Sequence, residues 1–161
     1  DATAFDQTLS DKFRVDASGQ LVLDGQTRLH VEALVALTDL NQLDAKIEEE
    51  VGEFPPAARA RAHDLVERYR VYIIAQKQTY PPGIAPDNED EMATQLDGLH
   101  VLRVAHFGQA TADAFYADEE KLDRELLDLM RLEKDPGLTM EEKAERAQAR
   151  YTKLHLAAKY N

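Results

Sequence analysis

The stretch TYPPGIAPDNEDE, residues 79–91, limits the chain more than any other. Its three prolines and one glycine remove backbone donors and disrupt helical φ and ψ, so no helix can cross it. It therefore reads as a linker, over 80–88, between two helical parts. Upstream, Pro55-Pro56 opens a helix whose apolar residues are Ala58, Ala62, Leu65, Tyr69, Tyr72 and Ile73, spaced by threes and fours. Downstream, Met92, Leu96 and Leu99 mark a helix near 89–106. Phe115, Leu122, Leu126 and Leu129 mark another near 110–133. A last helix starts at Thr139, which forms a capping box with Glu142, and its stripe is Met140, Ala144, Ala147, Tyr151, Leu154 and Ala158.

Before the proline pair, a helix is expected over about 27–38 with Leu29, Ala33, Leu34 and Leu37 on one face. A second, capped by Asp39 with Gln42, should end near Val51-Gly52. Ahead of these, Phe13/Val15 and Leu21/Leu23 alternate with polar residues around Asp16-Ala17-Ser18-Gly19. That pattern predicts a short β-hairpin with Gly19 supplying a positive φ. Residues 1–11 show no period and are expected to be loose. The fold class is thus all-α. A hairpin and three helices make a small N-terminal domain over 12–79, and helices that continue over 89–161 follow the linker.

A formal net charge of −12 disfavours nucleic acid and anionic membrane surfaces as partners, leaving neutral or basic protein surfaces. The absence of cysteine excludes thiolate metal sites, disulfides and cysteine nucleophiles. No run approaches the roughly 18 apolar residues of a membrane helix. Among the five histidines, His100 stands at metal-ligand spacing from a carboxylate, Asp97, but Gly98 weakens a helix there. His30, His63, His100, His106 and His155 therefore read as surface or groove residues, and no metal or cofactor is expected. Neither Ser10 nor Ser18 sits in a nucleophile elbow, and no phosphate-binding loop occurs, so an enzyme is not expected. Tyr69, Tyr72 and Tyr80, with Phe107, Phe115 and Tyr116, form two aromatic clusters. Core filling is the first explanation for them, and contact with a protein partner the second.

Four segments resemble, in order, the lipase-specific foldases, steric chaperones that activate secreted lipases in the proteobacterial periplasm. They are FRVDASGQLVLDGQTR, LDAKIEEEVGEFPPAARARAHDLVERYRVY, FGQATADAFYADEEKLDRELLDL and GLTMEEKAERAQARY, spanning about residues 10–155. The resemblance implies a small helical domain followed by an extended helical arm that wraps one client. It implies as well an inner-membrane anchor, expected ahead of Asp1, and a second small helical domain that does not fit before Asn161. The chain is accordingly expected to be a fragment or a shortened relative.

The family's signature helix carries R-x-x-F-D-Y-x-L-S-A-x-G-E. Aligned through the predicted hairpin, this chain keeps Arg28 but has Val31, Glu32 and Ala33 for Phe, Asp and Tyr, and Val35, Ala36 and Leu37 for Leu, Ser and Ala. Charge survives at Glu32 and apolar character at Val31 and Val35, whereas both hydroxyls are lost. The implied client-binding residues are Arg28, Val31, Glu32, Val35, Tyr69, Tyr72, Phe115 and Tyr116. Without the resemblance, Arg28 and Glu32 are simply a pair four apart on a helix surface. The function implied is a non-enzymatic periplasmic chaperone in a one-to-one complex with a secreted hydrolase, a lipase first. An escort or inhibitor of another exoenzyme, such as a protease or phospholipase, and an unrelated acidic interaction module are the alternatives.

Overall fold

The computed structural model describes residues 12–160. The expected loose segment 1–11 lies outside the described residues. The described residues form six helices: α1 (Gly25–Leu37), α2 (Leu40–Val51), α3 (Pro56–Thr79), α4 (Glu89–Phe107), α5 (Gln109–Glu133) and α6 (Met140–Tyr160). Residues 80–88 carry no helix. Two compact units form. One gathers the chain up to Pro82 with Val101–Ala117, the other Gly83–His100 with Asp118 onward.

The predicted hairpin is corrected: among the described residues there is no strand, only a single antiparallel bridge between Val15 and Leu21. The turn itself exists. Gly19 has φ +82°, and the Asp16 carboxylate accepts from the amides of Ser18 and Gln20 at 2.9 and 3.0 Å. What stops the ladder is the start of α1. The Thr27 hydroxyl donates to the Val22 carbonyl at 2.8 Å, and the Asp24 carboxylate accepts from the Thr27 amide at 2.8 Å as the N-cap. Backbone that a second strand would need is committed to the helix terminus.

In the first unit, α3 packs against both α1 and α2, and Val51, Ala62 and Leu65 are wholly buried between them. The α1 stripe is turned from its expected position: Leu29 and Leu37 are 44% and 41% exposed, while Thr27, His30, Val31 and Leu34 face inward. His30 is therefore not a surface or groove residue. It is 1% exposed, and its Nε2 lies 2.7 and 3.0 Å from the two oxygens of Glu50, which also accepts the Phe13 amide at 3.1 Å. Asp39 heads α2, but its side chain makes no capping bond; its carbonyl accepts the Gln42 amide at 2.9 Å instead. The α4–α5 joint is the single residue Gly108, whose φ of +81° an L side chain rarely adopts.

In the second unit the Thr139–Glu142 capping box forms reciprocally, at 3.1 and 3.2 Å. Apolar burial is thin. Leu127 is 3% exposed, Met92, Leu96, Leu99 and Leu129 are half-buried, and Leu122 and Leu126 are each 48% exposed. The α6 stripe is corrected too, since Met140, Ala144 and Tyr151 face outward and Lys143, Ala147, Arg150 and Leu154 are the covered positions; Ala158 lies beyond the described side chains. Long charged side chains fill that covered face because their methylenes lie along the neighbouring helix while their heads find counter-charges.

The Asp24 carboxyl lies below its ordinary 3.8: partial burial pushes it up, but bonds from Arg14 and Thr27 outweigh that. Asp24→Ala is expected to cost about 1–2 kcal/mol in urea unfolding at neutral pH. A depressed folded pKa gives stability that is present above the unfolded value and lost as pH falls through the folded one. The gap between the two proteins should therefore close below about pH 4; an unchanged gap in acid would contradict this role.

Candidate functional site

Four helices of the first unit converge on the ring of Tyr116. Helix α1 brings Arg28 and Glu32, one turn apart; α3 brings Tyr69 and Tyr72; α4 brings Arg103 and Phe107; α5 brings Phe115 and Tyr116. The Arg28 guanidinium donates through Nε to the Phe115 carbonyl at 2.9 Å and through Nη1 to Glu32 at 2.7 Å, and sits 4.9 Å from the Tyr116 ring centroid. A second guanidinium, that of Arg103, lies 4.1 Å from the same centroid and donates to the Tyr72 hydroxyl at 3.0 Å. Tyr72 touches Phe107, Tyr116 and Tyr69 at centroid distances of 5.4, 5.9 and 6.2 Å. Phe107 also meets Phe115 at 5.6 Å.

The electrostatics follow from burial. Tyr69 is pushed up to about 12, chiefly by desolvation and then by the charge of Glu32, with Arg28 opposing. Tyr116 is held well above the ordinary phenol range, again by burial first and then by Tyr72 and Glu32; the two guanidiniums pull the other way without prevailing. The Tyr116 hydroxyl is buried without a hydrogen-bond partner. Both phenols are neutral at any physiological pH. The constellation therefore works as a clamp: two cations against one aromatic ring, tying α1 to α5 and α4 to α3.

Of the eight residues singled out from the sequence, Arg28, Glu32, Tyr69, Tyr72, Phe115 and Tyr116 come together in this cluster. Val31 lies in the core at 1% exposure, and Val35 is half-buried against that core. Tyr69, Tyr72, Phe115 and Tyr116 are all buried, so the first explanation for the aromatics, core filling, describes where they sit. The cluster meets solvent at Arg28 and Glu32, whose side chains are 15% and 32% exposed. Exposed Leu29 and Leu37 flank them on α1. Arg103 was not singled out. Its signal is visible in hindsight, because it stands four residues from both Leu99 and Phe107, a cation on an apolar helix stripe.

The Asp97/His100 pair does not converge: Asp97 accepts from Arg124 at 2.8 Å, and His100 lies 2.9 Å from Glu120. Among the described residues no group of three acidic or histidine ligands is placed to hold a metal.

Two phenols in one cluster differ in what their hydroxyls do, and their Phe variants should separate. Tyr72→Phe removes an acceptor of the buried Arg103 and is expected to destabilise by about 1–3 kcal/mol. Tyr116→Phe removes an unpartnered buried hydroxyl and is expected to be neutral or slightly stabilising. Thermal unfolding of both variants checks this, and equal losses would mean that the Tyr116 hydroxyl has a partner.

No curated protein matches the chain. The family model described as proteobacterial lipase chaperone protein matches residues 65–159, more than half of the chain, from the middle of α3 through α6.

Proposed function

The chain belongs to the proteobacterial lipase chaperone family, and from that premise we propose that it is a periplasmic steric chaperone binding one secreted lipase in a one-to-one complex. The observation that carries the reading is the extent of the family match, which takes in every helix from the second half of α3 onward. The acidic surface, with a net charge of −12, suits a protein client rather than a nucleic acid. No described helix is long and apolar enough to cross a membrane, and an anchor would be supplied by chain outside the described residues.

The mechanism rests on binding energy. A steric chaperone accelerates folding when it binds the barrier state of its client more tightly than the trapped state, as an enzyme binds its transition state. The client-facing surface proposed in the first unit is the solvent edge of the clamp: Glu32 with Arg28, flanked by Leu29, Val35 and Leu37. The buried Tyr69, Tyr72, Phe115 and Tyr116 support that edge from beneath. The helical segments of the second unit, 89–100 and 118–160, serve as the arm that lies along the client.

A second reading is favoured by one observation. The family-pattern serine is replaced by Ala36, which is exposed, so the hydroxyl missing there is one a client would meet. An escort or inhibitor would keep the binding and lose the activation.

The test is refolding of a denatured family-matched lipase with increasing amounts of the chain. Recovered activity should rise and level off at equimolar chain, with a complex on gel filtration. Unchanged recovery without a complex would remove the proposal; suppression of an already active lipase would select the second reading. Glu32→Ala forfeits a partly exposed ion pair worth under about 1 kcal/mol, so it should stay folded and lower the recovery.

A further inference from the structure

Helices α5 and α6 meet in a way no helix pair of the first unit does. Their direct links are polar: Arg150 Nη1 lies 3.1 Å from Glu125 and 3.0 Å from Asp128, Lys153 Nζ lies 3.9 Å from Glu125, and Lys143 Nζ donates to the Glu133 carbonyl at 2.7 Å. An open cleft of about 530 Å³ separates the two helices, and of the eight side chains lining it only Leu132 and Ala149 are apolar. Of the large apolar side chains of α6 only Leu154 is half-buried among the described residues, whereas Met140, Tyr151 and Leu156 are 81%, 62% and 47% exposed. Burial of apolar surface, which ordinarily holds a helix on its neighbour, is sparse here, with Leu127 of α5 the one fully buried large apolar side chain of the two helices outside Phe115 and Tyr116 among the described residues.

We propose that α6 is a charge-latched strap: it is held on α5 by the Arg150 bridge to Glu125 and Asp128, and it undocks as ionic strength rises while the first unit keeps its fold. The physical basis is screening. Arg150 and Asp128 are 38% and 42% exposed, so mobile ions reach that pair more readily than the bridge to Glu125, which is 13% exposed; the screening length falls from about 14 Å at about 0.05 M salt to about 4 Å at about 0.5 M. The first unit lacks this sensitivity because its helices are joined through buried Val51, Ala62 and Leu65. The strap reading does not depend on the identity of any client.

Hydrogen exchange on the full chain, read by mass spectrometry, tests it. Between about 0.05 and 0.5 M NaCl, amide protection over Met140–Tyr160 should fall about tenfold while that of α1–α3 stays constant. Arg150→Gln should show the low protection already at low salt, and Arg150→Lys, which keeps the charge, should retain most of the parent's protection and its salt response. Protection of α6 that is indifferent to salt, or an Arg150→Gln protein that exchanges like the parent, would overturn the proposal.

Discussion

Desolvation of one arginine sets the terms for the first unit. Arg103 is 7% exposed, and a buried guanidinium is tolerable only where donors and charge are both answered. The Tyr72 hydroxyl accepts its Nε, and the Tyr116 ring receives its charge. Both partners must therefore be in place together, and they come from α3 and α5, far apart in the chain. Arg103 thereby ties the start of α5 to the N-terminal core. The apolar faces of α1–α3 are completed by Phe107, Ala112, Phe115 and Tyr116, which no hairpin or linker separates from them in space.

Much of this was legible in the sequence, and the failures share a cause. Helix existence and order follow from spacing, from Pro55-Pro56 and from the break after Thr79, and these are local properties. The Thr139–Glu142 box is legible because both partners sit within one turn. Which side of a helix faces inward is decided elsewhere. Leu29 looks like a core residue, yet His30 and Val31 occupy that direction because Glu50, twenty residues on, offers the imidazole a carboxylate. The hairpin failed for a similar reason: alternation at Leu21 and Leu23 was real, but Thr27 and Asp24 drew the following backbone into a helix terminus. In the candidate site, six of eight residues came together because aromatic and charged residues at helical spacing mark a face. Arg103 escaped notice because a cation on a stripe reads as an interruption until its aromatic partners are seen.

Where α1 departs from the family pattern it resembles, burial separates the positions. Val31 and Ala33, where the family pattern has Phe and Tyr, are 1% and 6% exposed, so these changes alter what fills the core beneath α1. Ala36, in place of Ser, is exposed and alters what the helix shows to a partner. Arg28 is retained in a setting that gives it three tasks at once, the Phe115 carbonyl, Glu32 and the Tyr116 ring. Its retention is therefore explained by packing alone, and it is not by itself a sign of client contact. Glu32, paired only at the surface, is the better witness to function.

The two units differ in the interaction that dominates each, and that difference bears on how such a chaperone can act. The first unit relies on buried apolar and aromatic contact, which is short-ranged and tightly dependent on shape. The second relies on pairs such as Arg124–Asp97, Arg131–Asp90 and Arg150–Glu125, each worth little and each replaceable by water or by another charge. A surface that must follow a client through folding cannot be bound to a single shape of its own. Helices joined by exchangeable charges can trade internal partners for those of a client at small net cost, whereas a close-packed core cannot. Sparse apolar burial around α5 and α6 suits the proposed role, since local opening free energies fall where buried contacts are few.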